Sequence, residues 1–167
     1  MIWLMPIVSN TSPILNLAIT GHLSLLHEQF GEVAIPAAVW DELRVEENLP
    51  GSPAVRKAVA AGWIRVTVVK DRALVQVLQR ELDKGESEAI ALALQLQAEW
   101  TLLDEREGRK VAKSLGLKVT GVLGVLLRAW REGKLPALRE ALDELRRRAG
   151  FYIGTELYND LIRESGE

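Results

Sequence analysis

Residues 85–105, GESEAIALALQLQAEWTLLDE, decide how this chain is read. Glu86 and Glu88 fall on the predicted first turn of a helix, where carboxylates face unpaired N–H groups and the positive end of the helix dipole. Residues 89–96 have the length and the Ala/Leu content of a buried helix rather than a strand. A short strand over 100–103 follows and ends on Asp104. An acid just past the C-terminal end of a buried strand lies where open α/β sheets place their ligands. One helix–strand unit thus brings Glu86 and Asp104 toward the same sheet edge. For any one acid a structural reading stands beside this: Glu86 and Glu88 as dipole partners, Asp104 as a helix cap.

Working outward, residues 6–9 (PIVS) predict a buried first strand, with its start as early as Ile2. Asn10-Thr11-Ser12-Pro13 is a helix-start signal, with Pro at the first helical position. Helices are expected over 13–19 and 23–30, interrupted at Gly21 and stopped at Gly31. A strand over 33–35 leads into a helix over 37–44 opened by Pro36. Residues 46–53 predict a loop, 54–61 a helix, 64–69 a β-branched third strand, and 73–82 another helix. Residues 83–85 predict a break. Beyond Asp104 come a helix over 106–115, a strand over 117–119, a helix over 122–131 begun by Thr120-Gly121, and a helix over 136–148. The tail, 150–162, predicts a loop and a last short helix. Alternating strands and helices imply a parallel sheet covered on both faces, and right-handed crossovers leave a three-layer α/β/α sandwich. With no repeat or composition shift, one domain over 1–167 is expected, with a helical extension at 136–167.

Composition narrows the chemistry. Of the 167 residues, 48% are hydrophobic and 26% charged, the balance of an ordinary globular protein. A formal net charge of −2 supplies no global attraction to nucleic acid, so such binding needs a local basic patch. The absence of cysteine excludes disulfides, thiolate zinc sites and Cys nucleophiles. His22 and His27 are the two histidines; helix-surface positions are expected for both, not a His-rich metal site. The start, MIWLMPIV, lacks the charged region of a signal peptide, and no run is long enough to span a bilayer. A cytoplasmic location is the expectation.

Four positions share the expected carboxyl edge: Asn10 after the first strand, Glu42 in the helix after the second, Glu86 heading the helix before the fourth, and Asp104 after the fourth. Clustered carboxylates raise one another's pKa unless a cation neutralises them. An oxygen-only set favours Mg²⁺ or Mn²⁺ and suits metal-assisted phosphodiester hydrolysis.

The segments IVSNTSPILNLA, IPAAVWDEL, LDKGESEAIALALQLQAEWTLLDEREGRKVA and GLKVTGVLGVLL, in this order, resemble a PIN domain. The likeness extends through GFYIGTELY and is closest to the prokaryotic PIN-like subfamily catalogued as a domain of unknown function. It implies a three-layer sandwich and a metal-dependent ribonuclease, with many relatives acting as toxins of VapC-type toxin–antitoxin pairs. Carried over by position, the family's acids fall on Asn10, Glu42, Glu86 (with Glu88 as substitute) and Asp104. These imply catalytic roles for Glu42, Glu86 and Asp104 and a metal shell completed by Asn10. Asn10 is the departure: its amide oxygen can ligate a hard cation but brings no charge. Thr11, Ser12 and Thr120 read as helix caps; the likeness also brings the turn of Ser12 near the metal site, which implies a hydroxyl that hydrogen-bonds a metal ligand.

Arg106, Arg109, Lys110 and Lys113 share one face of the helix after Asp104, which suits a polyanion whose backbone must reach the site. Arg146-Arg147-Arg148 reads as a helix C-terminal turn. The five tryptophans show no stacking ladder and read as core or interface residues. The function expected is in-line attack of water on an RNA phosphodiester by a toxin-like ribonuclease. Its expected partners are RNA, a small antitoxin and a second copy across helices 122–131 and 137–145. The alternative is a PIN-fold protein that binds RNA or a partner without cutting. A phosphoacceptor receiver-like domain ranks below both, because Asn10-Thr11, Asp71 and Thr120 stand where it needs an acid pair, an Asp and a Lys.

Overall fold

The computed structural model describes residues 6–167, so the expected strand onset at Ile2, and Trp3, lie outside the described residues. Five short strands, β1 (Ile7–Ser9), β2 (Val33–Ile35), β3 (Ile64–Val66), β4 (Trp100–Leu102) and β5 (Val119–Thr120), form one sheet in the order β3-β2-β1-β4-β5. Every pairing is parallel. That order differs from the 2-1-3-4-5 order of receiver-like sheets, which removes the phosphoacceptor reading. Asp71, the acid that reading needed, instead caps a helix by accepting the Leu74 N–H at 3.0 Å.

Strand β1 is buried throughout, and its side chains alternate as the period of two requires. Ile7 joins the core on one face and Val8 the core on the other. The first face carries α1 (Thr11–Ile19), α2 (Ser24–Phe30), α3 (Ala37–Leu43) and α4 (Ser52–Ala60), with α8 (Val122–Arg131), α9 (Leu138–Ala149) and α10 (Thr155–Ser165). The second carries α5 (Arg72–Leu78), α6 (Lys84–Leu96) and α7 (Arg106–Ser114), through Val75, Leu92 and Ala112. The result is the expected three-layer α/β/α sandwich. No helix among the described residues is long and apolar enough to cross a membrane.

Several boundaries depart from the sequence reading, each for a local reason. Strand β3 ends at Val66, not at residue 69. As an edge strand it pairs, among the described residues, with β2 alone, and its ladder closes with the Thr67 N–H on the Ile35 carbonyl at 2.8 Å. Val68, beyond that bond, is 77% exposed. The loop expected at 46–53 holds a 3-10 turn, Val45–Glu47, and the start of α4 at Ser52. Thr120 is not a helix cap: its carbonyl accepts the Leu103 N–H at 2.9 Å as part of the sheet, and Gly121 occupies the N-cap position. His22 lies half-buried in the turn between α1 and α2, off the helix surface, whereas His27 is on α2 and stacks on Trp63 with ring centres 5.0 Å apart.

The expected break at 83–85 is a helix start. Asp83 caps α6 by accepting the Glu86 N–H at 2.8 Å, and the Glu86 carboxylate reaches back to the Asp83 N–H at 3.4 Å. This reciprocal capping box draws Lys84 and Gly85 into the helix and fixes the direction in which the Glu86 side chain leaves it.

Apolar helices offered by the sequence as a dimer face are covered from within. Val122, Val125, Leu126 and Ala129 of α8 and Leu138, Ala141, Leu142 and Leu145 of α9 are buried in the shared core. The basic run at the end of α9 fastens the tail. Arg146 lies 4.0 Å over the Tyr158 ring and donates to the Ile153 carbonyl at 2.7 Å, while Arg147 and Arg148 pair with Glu144.

Replacing Asp83 by Ala removes the cap of α6 and is expected to lower stability by about 0.5–2 kcal/mol. Urea unfolding at neutral pH, with the slope unchanged and the midpoint shifted down, is the measurement that checks it.

Candidate active site

In an open parallel sheet the crevice for a ligand lies at the carboxyl ends of the strands, where the strand order reverses. Here that point falls between β1 and β4, which pair directly with Ser9 against Leu102. Asn10 follows β1 and Asp104 lies two residues beyond β4. The Asn10 N–H donates to the Leu102 carbonyl at 3.0 Å, closing the pair at its end.

The first turn of α1 binds two of the acids. Ser12 Oγ donates to Asp104 Oδ2 at 2.8 Å, and Thr11 Oγ1 donates to Glu42 Oε2 at 2.5 Å. Asn16 Nδ2 donates to Ser12 Oγ at 3.0 Å and sets the hydroxyl's orientation. Thr11 and Ser12 are therefore not caps; their hydroxyls are directed at carboxylates, and α1 has no side-chain cap bond. Asp104 Oδ1 also accepts the Val122 N–H at 2.8 Å from the start of α8.

Each of three acids lies against a glycine. A Cβ built on Gly85 would meet Glu42 Oε1 at 2.6 Å, one on Gly108 would meet Glu86 Oε2 at 2.5 Å, and one on Gly121 would meet Asp104 Oδ1 at 2.5 Å. At those distances an added side chain would have to displace the carboxylate. Gly85 and Gly108 sit in the first turns of α6 and α7, where glycine is a weaker helix former than Ala. Their place is explained by the carboxylates they admit. A glycine within a helical pattern is the sequence signal of such a close approach.

These contacts link the predicted residues in a circuit: Asp104 to Ser12, Thr11 to Glu42, Glu42 against Gly85, and Gly85 beside Glu86. Asn10 and Glu86 are 5% and 6% exposed. Among the described residues Asn10 Oδ1 and Glu86 Oε2 have no hydrogen-bond partner, which is costly for buried oxygens unless something else satisfies them. Glu88, the substitute, is equally buried but partnered: it accepts the Ala38 N–H at 3.1 Å and pairs with Arg72 at 3.2 Å. The carboxylate of Glu88 thus fastens the start of α3 to α6.

Burial dominates the electrostatics. It pushes the Glu86 carboxyl up to about 7, with the nearby Asp83 charge adding to the shift. Asp104 is also raised by burial, opposed by the Val122 N–H, the Ser12 hydroxyl and the Arg109 guanidinium. Arg109 is half-buried and its Nη1 donates to the Leu103 carbonyl at 2.9 Å. Of the four cations expected on one face of α7, Arg106, Lys110 and Lys113 are exposed, while Arg109 turns in toward the sheet.

A family model described as a PIN domain matches residues 6–167. The chain belongs to the PIN-domain family. Within it, the matching model is one catalogued as a domain of unknown function. No curated protein matches the chain. The PIN fold is nuclease-like, and its divalent metal chemistry can be compared with the residues present here. The donors are hard oxygens throughout, and two of them are buried and unpartnered, which suits a hard cation. Among the described residues, however, no three Asp, Glu or His side chains stand together as a metal cluster. The acids are instead held in separate hydrogen bonds to hydroxyl and N–H groups.

The raised Glu86 pKa has a definite sign. The folded state holds this proton more tightly than the unfolded chain, so the stabilising contribution is complete below about 4.5 and is lost as pH rises through about 7. In metal-free buffer, the melting temperature of Glu86→Gln is expected to gain on that of the wild type across this window. Thermal melts of both proteins over the pH range measure the difference.

Proposed function

We propose that this PIN domain is a Mg²⁺- or Mn²⁺-dependent endoribonuclease. Two buried oxygens without a partner among the described residues support the reading: Asn10 Oδ1, at the end of β1 in a PIN-family sheet, and Glu86 Oε2, in the first turn of α6. Asn10, Glu42, Glu86 and Asp104 would hold the ion, with Glu86 preferred to the already partnered Glu88. A bound divalent cation supplies positive charge that lets these acids ionise together and polarises a phosphodiester and water.

The chain's own groups do the positioning. Ser12 and the Val122 N–H hold the two oxygens of Asp104 and favour its charged form. Thr11 holds Glu42, which is exposed at the mouth of the crevice. Arg106, Lys110 and Lys113 present an exposed positive face on the adjoining helix, and Arg109 a half-buried charge nearer Asp104, where an RNA backbone would lie. The Ser12 and Thr11 hydroxyls serve in this reading to hold Asp104 and Glu42, and water is the nucleophile.

The sequence likeness to VapC-type toxins supports a toxin-like component held by a small antitoxin in the cytoplasm, acting as a homodimer. A second reading is a PIN-fold protein that binds RNA or a partner without cutting. Asn10 favours it, because a neutral amide stands at the family's first acid and weakens the attraction for a cation.

Cleavage of a mixed single-stranded RNA panel, with Mn²⁺, Mg²⁺ or chelator, tests the choice. Metal-dependent cleavage that disappears in Asp104→Asn is the expected result; RNA binding without cleavage by the clean wild-type protein would establish the second reading. In the active protein, Ser12→Ala is expected to lower the rate about 10- to 100-fold, the range seen when a group orienting a metal ligand is removed. Asn10→Asp should raise metal affinity, read by titrating Mn²⁺ against the melting temperature.

A further inference from the structure

Asp104 and Arg109 also border a cleft of about 390 Å³ whose other walls the proposed chemistry does not use. Asp104, Arg109 and Thr120 form its polar end, and Leu123, Phe151 and Leu157 its apolar wall. Its volume falls among small-ligand sites, which are commonly about 300–1,000 Å³ and combine apolar walls with a few placed polar groups. Two glycines, Gly121 and Gly124, border it without filling it. Gly124 lies in the first turn of α8, where a Cβ would collide with the Thr120 hydroxyl, so its bareness admits the polar end of the cleft.

The apolar wall belongs to the C-terminal segment. Leu157 is 47% exposed, although Leu161 and Ile162 on the same helix are buried. Phe151 packs against the main core and is held in a fixed place, because Arg146 binds the Ile153 carbonyl and covers Tyr158. A rigid aromatic and aliphatic wall therefore faces a guanidinium and a carboxylate across one cleft. A flat apolar ring joined to an anion matches that pairing, with the anion beside Arg109. The guanidinium carries five N–H donors and the Leu103 carbonyl engages Nη1, so the fork retains further donors for a phosphate.

We propose that this cleft is a base-binding subsite that takes one unstacked nucleobase of single-stranded RNA next to the phosphate at Asp104, with Phe151 as the stacking surface. Bases in single strands can be splayed out onto aromatic side chains, which a duplex does not allow. The proposal rests on the RNA reading above, and it assigns to the C-terminal segment the selection of single-stranded over paired RNA.

Fluorescence anisotropy in chelator, where no cleavage occurs, tests it with two probes: a short oligouridine and the abasic ribose-phosphate chain of the same length. The wild type is expected to prefer oligouridine by roughly 5- to 100-fold, the value of about one stacked base. Phe151→Leu, which keeps the apolar packing and removes the ring, should lose most of that preference while still binding the abasic chain. Leu157→Ser, on an exposed helix face, should reduce the preference without affecting the fold, which far-UV circular dichroism checks for both variants. An unchanged preference in both variants, or equal binding of the two probes by the wild type, overturns the subsite and leaves the RNA reading standing. Failure of the wild type to bind either probe overturns both.

Discussion

The hydrogen bond from Ser12 to Asp104 joins residues 92 apart in sequence, and the site depends on what makes that contact possible. Strands β1 and β4 are neighbours in the sheet although β2, β3 and the helices between them intervene in the chain. Their pairing sets the end of β1 against the end of β4. The first turn of α1 and the segment after β4 then emerge side by side. Ile7 and Val8 are packed in different cores on opposite faces, so a one-residue slip would exchange them and misfit both, and the edge is held by the core beneath it.

Around that edge the protein places carboxylates against backbone rather than against cations. Glu42, Glu86 and Asp104 each lie where a glycine withholds its Cβ, and hydroxyl or N–H groups take part of their hydrogen-bonding capacity. Glu86 remains short of a partner for one oxygen among the described residues, and burial, with the Asp83 charge second, raises its carboxyl to about 7. Glu88, two residues on, shows the contrast. It is as deeply buried, yet an N–H group and an arginine satisfy it, and its work is to fasten α3 to α6. The same residue type in the same helical turn is structural in one case and left incomplete in the other.

The C-terminal helices have two relations to this edge. Through Leu138, Leu142 and Leu145 they complete the core over α1 and α8, and through Phe151 and Leu157 they wall the cleft beside Asp104. Their basic run is spent within the chain, on Tyr158, Ile153 and Glu144. The exposed positive charge close to the site is therefore that of α7.

Periodicity and punctuation in the sequence determined the layered fold, because both are local. The buried run at 89–96, the Pro and Gly residues that start and stop helices, and the β-branched triplets each act over a few residues, and strict alternation leaves a parallel sheet as the solution. The same local signals placed Asn10 and Asp104 at strand ends. Where they failed, a distant partner decided. Strand β3 stops at Val66 because its neighbour β2 stops, and Thr11 and Ser12 turn from capping to carboxylates that other elements bring near. The difference between Glu86 and Glu88 needed Ala38 and Arg72 to be in place. The reason for Gly108 needed the approach of α6 to α7. A sequence specifies which groups it carries and their local conformation; which oxygens are left unpartnered depends on contacts made only when the layers close.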